Sequence, residues 1–163
     1  MVLSTPRPTI DLAPVVAHVE RALAGRARVS TLHDMIVIDV EREHLVDAAR
    51  TVRDDPMTRC DLYSINAGVD MGDGELRSVT FVRGVTTHVH VMLRTRCTEM
   101  DPHIPSLASV WEGANWAERE TYDMFGIVFD DHPDLRRVFL EESFPGHPLR
   151  KSFLPPRSDA RGG

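Results

Sequence analysis

The sequence predicts an α+β fold: a single mixed domain with helices packed on a small, mainly antiparallel sheet, then a charged helix and an extended C-terminal arm. Three observations predict it. Two stretches in the first third repeat their apolar residues at helical spacing. The stretch from His88 to Arg96 instead alternates residue by residue, the pattern of a half-buried strand. Beyond Asp130 periodicity fades, and prolines, glycines, histidines and arginines take over.

Each element has its own reason. Asp11 to Ala24 places Leu12, Val15, Val16, Val19 and Leu23 near one helical face, and Gly25 can end it. Met35 to Val40 is a short β-branched run that reads as a strand. Arg42 to Arg53 returns to helical rhythm through Leu45, Val46, Ala49 and Val52 and stops before Pro56. Three strand candidates follow: Cys60 to Ala67, the weakest, then Val79 to Arg83 and His88 to Arg96. Gly72 and Gly74 suit a turn before the second, and Gly84 to Thr87 is short enough for a hairpin loop before the third. The order reads helix, strand, strand, helix and then an antiparallel run, with only Met35 to Val40 marking a strand between the helices. A short helix at Leu107 to Trp111 follows prolines 102 and 105. The division is residues 1–129 as the α+β domain, including a helix at 115–125, and 130–163 as the Pro-rich arm. Arg157 to Gly163 reads as a frayed polar tail.

With 163 residues, 42% hydrophobic and 27% charged, the chain has the size and composition of one folded domain. Its net charge of −6 excludes the concentrated basic surface that nucleic-acid binding needs. Lys151 is the only lysine among many arginines; codon bias of a GC-rich genome explains this more simply than selection for arginine at interfaces. No stretch approaches the roughly 20 apolar residues of a membrane span, and Met1 to Thr9 contains no apolar run of signal-peptide length. The expectation is a chain that reaches a membrane only through another protein. Cys60 and Cys97 are far apart and form no CxxC pair, which fits buried, reduced thiols better than a cluster or zinc site.

The helix near Trp116 carries the most information. Asn115 suits an N-cap, Glu118 three places on completes a capping-box pattern, and Gly126 suits the position past the end. On a helical wheel Ala117, Thr121, Tyr122, Met124 and Phe125 share one side; Trp116, Arg119, Glu120 and Asp123 share the other. Arg119 and Asp123 are four apart and can pair. A large aromatic among charges suits a protein interface better than open water.

Between Trp111 and Lys151 stand, in order, Ala114-Asn115-Trp116, Glu118-Arg119-Glu120, Asp123, Phe125-Gly126, His132-Pro133, Leu135-Arg136-Arg137 and Gly146-His147-Pro148-Leu149-Arg150-Lys151. In these motifs and their spacing the stretch resembles the 30-kilodalton-type subunit of respiratory complex I, the NADH-quinone oxidoreductase, known in bacteria as its C-type subunit. Ile104-Pro105-Ser106 matches too. It covers about the last third of the chain. It implies a non-catalytic structural subunit in the peripheral arm of a proton-pumping NADH:quinone oxidoreductase. It also implies no flavin, metal or quinone of its own; FMN and the iron–sulfur clusters belong to partner subunits. The implied partners are the quinone-site subunit (D-type) and the terminal iron–sulfur subunit (B-type), on the cytoplasmic side of the bacterial plasma membrane. Two further expectations follow. The arm from Phe144 lies along a neighbour, with Arg150 and Lys151 seeking its carboxylates. Glu118, Arg119, Glu120, Asp123, Arg136 and Arg137 form an ion-pair lattice fixing the helix to the loop after it.

The sequence departs from the family at Ser152, where an aspartate is usual, and is short for it. Those departures keep open the equivalent subunit of a membrane-bound nickel–iron hydrogenase or formate hydrogenlyase. His132, His147, Asp123 and Glu120 can be drawn as an acid–base set, but no nucleophile elbow or phosphate-cradling loop accompanies them. His88 and His90, two apart on one strand, could share a metal, although two surface histidines explain them more simply.

Overall fold

A computed structural model describes residues 10–154. The readings of Met1 to Thr9 and of the polar tail lie outside those residues. The elements run α1 (Ala13–Leu23), β1 (Ala27–Leu32), β2 (Met35–Val40), a 3-10 turn at Arg42–His44 leading into α2 (Leu45–Asp54), β3 (Leu62–Gly72), β4 (Glu75–Arg83), β5 (His90–Thr98), β6 (His103–Pro105), α3 (Ala114–Phe125) and β7 (Val128–Asp130). The mixed α+β class holds, and the sheet is mainly antiparallel.

Five strands form the main sheet in the order β1-β2-β5-β4-β3. Only β2 and β5 run parallel, Ile36 opposite Val91 and Ile38 opposite Leu93. The other neighbours are antiparallel. Because side chains alternate along a strand, this register puts Ile36, Ile38, Val40, Val91, Leu93, Val82 and Leu76 on one face. All are buried. Val15, Val19 and Leu23 of α1 and Leu45, Ala48, Ala49 and Val52 of α2 close the core over them. Tyr63, Asn66 and Gly68 of β3 stand opposite Val82, Thr80 and Ser78 and so share that face. There α3 docks: Thr121 Oγ1 donates to Asn66 Oδ1 at 2.6 Å.

All three helices therefore lie on one side of the sheet. The opposite face carries Leu32, Met35, Val37, Val79, Phe81, Met92, Ile65 and Val69 together with the charged Arg28, Asp39, Arg77, Arg94 and Arg96; Ile65 is 53% exposed, while Val37 and Met92 are buried. A sheet face turned to water ordinarily carries polar residues.

Several boundaries differ from the sequence reading. The weakest strand candidate is the longest strand, β3, and it closes a hairpin with β4 around Asp73-Gly74. β1 carries three polar or charged residues in six and had no periodicity to reveal it. Leu107 to Trp111 is one helical turn, closed by Trp111 N–H donating to Leu107 O at 2.9 Å. His88 has φ 58° and stands in the loop before β5, so it does not share a strand face with His90. That removes the paired geometry on which their reading as metal ligands rested.

Candidate functional site

The parallel pair β6–β7 brings Ser106 beneath the first half of α3. Glu118 points into this seam and is 1% exposed. Ser106 Oγ donates to its Oε2 at 2.6 Å and the Leu107 N–H to its Oε1 at 2.7 Å. Burial pushes the Glu118 carboxyl up to about 7, against the opposing pull of those two hydrogen bonds. The capping-box reading is thus corrected. The helix begins at Ala114, its cap residue is Gly113 without a side-chain bond, and the glutamate caps a different segment.

The His132 side chain is buried beside it, with Nε2 4.0 Å from Glu118 Oε2. The Asp134 N–H donates to His132 Nδ1 at 3.0 Å, which leaves Nε2 as the donor to Asn115 O at 3.0 Å. Pro133 occupies the exposed turn between them. The His132-Pro133 pair thereby pins the loop after β7 to the start of the helix.

Asp123, placed by the wheel on the charged outer side, is fully buried. Its Oδ2 accepts the N–H groups of Val138, Phe139 and Leu140 at 3.1, 2.8 and 3.0 Å, and Arg137 Nη1 donates to Oδ1 at 2.8 Å. Burial pushes this carboxyl up, but the three N–H donors and the guanidinium outweigh it and hold it below the usual carboxylate range. The long reach of Arg137 decides the pairing. Arg119, four residues away, turns instead toward Arg136 O at 3.2 Å and covers the Trp116 ring at 5.3 Å. The expected Arg119–Asp123 pair does not form.

The ion-pair lattice is corrected likewise. Of its six members only Asp123 and Arg137 pair with each other; Arg136 takes Asp134 at 3.0 Å, and Glu120 has no ion-pair partner among the described residues. What fixes the helix to the loop is charge meeting backbone. Such bonds satisfy orphan N–H and C=O groups that an irregular segment would otherwise bury unpaired.

The stretch after Phe144 folds back on its own domain. His147 Nδ1 lies 3.0 Å from Asp123 O, and its ring meets Tyr122 edge to face. Leu149 N–H donates to Met124 O at 3.1 Å. Arg150 donates to Phe125 O and Gly126 O, the free carbonyls at the helix C-terminus. Lys151 N–H donates to Asp70 Oδ2 at 2.7 Å. Gly126, with φ 69°, ends the helix as expected, and the His147 ring and Arg150 guanidinium fill the space a Cβ would need. Gly146 takes φ 90° and Pro148 starts the turn that delivers Arg150. The expected reach of Arg150 for a neighbour's carboxylate is corrected: its guanidinium is committed within this chain, whereas among the described residues Lys151 anchors by its backbone. Ser152 Oγ lies 3.2 Å from a Glu99 oxygen, a place where an aspartate would be repelled.

Sequence reasoning missed Asn66 and Asp70, and it named Ser106 without its partner Glu118. Asn66 Nδ2 donates to Ser78 Oγ and Thr80 Oγ1 at 2.7 and 2.9 Å. An asparagine inside a strand pattern, opposite a threonine, was the available signal. Cys60 and Cys97 are both free and buried, and burial pushes their thiols up to about 12 and about 11. Among the described residues no three His, Cys, Asp or Glu side chains gather where they could hold a metal ion.

Fold and site together define a one-sided α+β domain whose polar signature fastens one helix and the chain after it into a fixed frame. The profile of the family described as the respiratory-chain NADH dehydrogenase 30 Kd subunit matches residues 38–159, and this chain belongs to that family. It is 44% identical over 123 residues to the C-type subunit of the NADH-quinone oxidoreductase of Mycobacteroides abscessus, covering 74% of this chain and 54% of that one. To the corresponding subunit of Streptomyces coelicolor it is 46% identical over 122 residues, covering 72% and 48%. The chain thus spans about half the length of these curated relatives. Two solved structures share the fold. One is a chain of the membrane-bound sulfane sulfur reductase, an archaeal respiratory membrane complex, with TM-score 0.74, 20% identity and coverage of 86% and 84%. The other is a trypsin-resistant fragment of Nqo5, with TM-score 0.59, 22% identity and coverage of 74% and 98%.

Proposed function

We propose that this chain is a non-catalytic structural subunit in the peripheral arm of a proton-pumping NADH:quinone oxidoreductase, carrying no cofactor of its own. One observation carries the reading: the buried acid–base and cationic residues of the signature are spent inside the chain. Glu118, Asp123, His132, Arg137, His147 and Arg150 each hold a helix end, a loop N–H or a carbonyl. What faces outward includes the exposed apolar residues Leu32, Ile65 and Val69 of the open sheet face and the exposed Trp116 and Phe139, set among charged residues, the composition of an interface. Family membership supplies the assembly. The named neighbours in this reading are the quinone-site subunit and the terminal iron–sulfur subunit, on the cytoplasmic side of the membrane. No helix among the described residues is long and apolar enough to cross a membrane, which agrees with attachment through partners.

A second reading, carried by Ser152 where the family usually has an aspartate, is the equivalent subunit of a membrane-bound nickel–iron hydrogenase or formate hydrogenlyase. A tagged chain purified from mild-detergent membrane extracts decides between them by mass spectrometry. Flavin and NADH-binding subunits together with quinone-site subunits are expected. A nickel–iron hydrogenase pair without an NADH module would establish the second reading, and a chain that emerges alone would overturn both.

A further inference from the structure

Trp116 and Phe139 stand outside the bonds that hold the fold. They are 55% and 60% exposed, yet their rings meet edge to face with centroids 6.5 Å apart. The pair is held in place. The Asp123 carboxylate binds the Val138, Phe139 and Leu140 N–H groups beneath Phe139, and Arg119 covers the Trp116 ring while donating to Arg136 O. Aromatics fixed before binding lose little entropy when a partner arrives, and Trp with Arg is the composition that dominates binding energy at protein interfaces.

The surroundings are predominantly acidic, four carboxylates against the one unneutralised guanidinium of Arg119. Glu112 and Glu120 lie four residues before and after Trp116, Glu120 one turn along the same helix face. Glu141 and Glu142 follow Phe139 by two and three residues. All four are exposed, and none has an ion-pair partner among the described residues. Of the nearby arginines, Arg136 is neutralised by Asp134, while Arg119 is held by carbonyls and keeps its charge over the Trp116 ring.

We propose that this face docks a protein surface that presents an apolar socket rimmed by arginine or lysine. The proposal rests on the reading of the chain as a structural subunit and adds the chemistry of one partner surface. An aromatic centre with an acidic rim repels anionic lipid headgroups. It equally repels a second copy of itself, which disfavours a two-fold contact through this patch. A basic socket satisfies both the apolar centre and the rim.

The test uses the tagged chain in the detergent-extracted complex, with the photo-reactive residue benzoylphenylalanine at position 139. The expected product is a cross-link to an identified peptide of another subunit in which apolar residues are flanked by arginine or lysine. The double variant Glu120→Lys, Glu142→Lys should retain partner subunits at least tenfold less than the parent, while its thermal midpoint as a purified chain stays unchanged. Cross-links confined to lipid or to a second copy of this chain overturn the proposal. So does no cross-link in an intact complex, or full retention by the double variant. The two readings fail separately. A cross-link to a basic, apolar peptide of a non-respiratory partner keeps the docking face and removes the proposed function. Respiratory partners with position 139 uncross-linked do the reverse, and a parent chain with no partner removes both.

Discussion

Glu118 and Asp123 lie five residues apart on α3, both nearly sealed from water, and their surroundings push their acidities in opposite directions. Glu118 has one hydroxyl and one backbone N–H as partners, too little to offset the loss of solvent. Asp123 has three N–H groups and a guanidinium, which is enough. The pH consequence for Glu118 has a definite sign. Its folded-state carboxyl titrates near 7 against an ordinary 4.5, so the folded state holds the proton more tightly. That contribution to stability is complete below about pH 4.5 and is lost as pH rises through 7, about 3 kcal/mol in all. Glu118→Gln keeps the shape and removes the titration. Urea unfolding of parent and variant between pH 5 and pH 8 should show the parent losing up to about 3 kcal/mol relative to the variant; parallel curves would mean that Glu118 stays ionised. Asp123 acts in the opposite sense, its contribution fading as pH falls below the carboxylate range, so the chosen window keeps the two apart. The sequence marked both residues as important but misassigned their partners. Helical spacing names the neighbours within a helix, while Ser106 and Arg137 reach them from elsewhere in the chain.

At the scale of elements, strand alternation and helical periodicity located β2, β5, α1 and α2 to within two or three residues, because each buries one face against a single core. β3 was legible only weakly: it has exposed apolar residues on one face and Tyr63, Asn66 and Gly68 under α3 on the other. Gly68 is where helix and strand come closest. A Cβ there would overlap the Phe125 ring, so Gly68→Ala must push α3 off the sheet. The expected cost is about 1–3 kcal/mol, the range for overpacking a filled core, and thermal unfolding of the variant against the parent measures it. Gly74→Ala is the control: its Cβ meets nothing within 4 Å, although its φ of 81° carries a strain of its own. Gly68 has an ordinary φ, so its loss measures the close approach alone, and an unchanged midpoint for Gly68→Ala would show that the approach of α3 costs nothing.

For the whole molecule, the C-terminal segment strengthens the domain that carries it. Residues 147–151 bond α3, Gly126 and Asp70, joining the end of the helix to the far end of β3. Truncation after Phe144 should therefore lower the thermal midpoint of the purified chain and also weaken assembly. An unchanged midpoint with lost assembly would show that the segment serves a neighbour only. By itself the sequence determined the α+β class, most helix and strand positions, the end of α3 at Gly126 and, through the ordered signature from Trp111 to Lys151, the family. These are properties of residues near one another in the chain, set by periodicity, turn chemistry and motif order. Only the tertiary structure decided that all helices cover one face of the sheet and that Asp123 gathers the 138–140 backbone. It alone placed Arg150 on the carbonyls of its own helix and left Trp116 and Phe139 outward. The bonds among those outcomes join residues 15 to 25 positions apart, and a burial requirement can be met by any partner that the packing brings within reach.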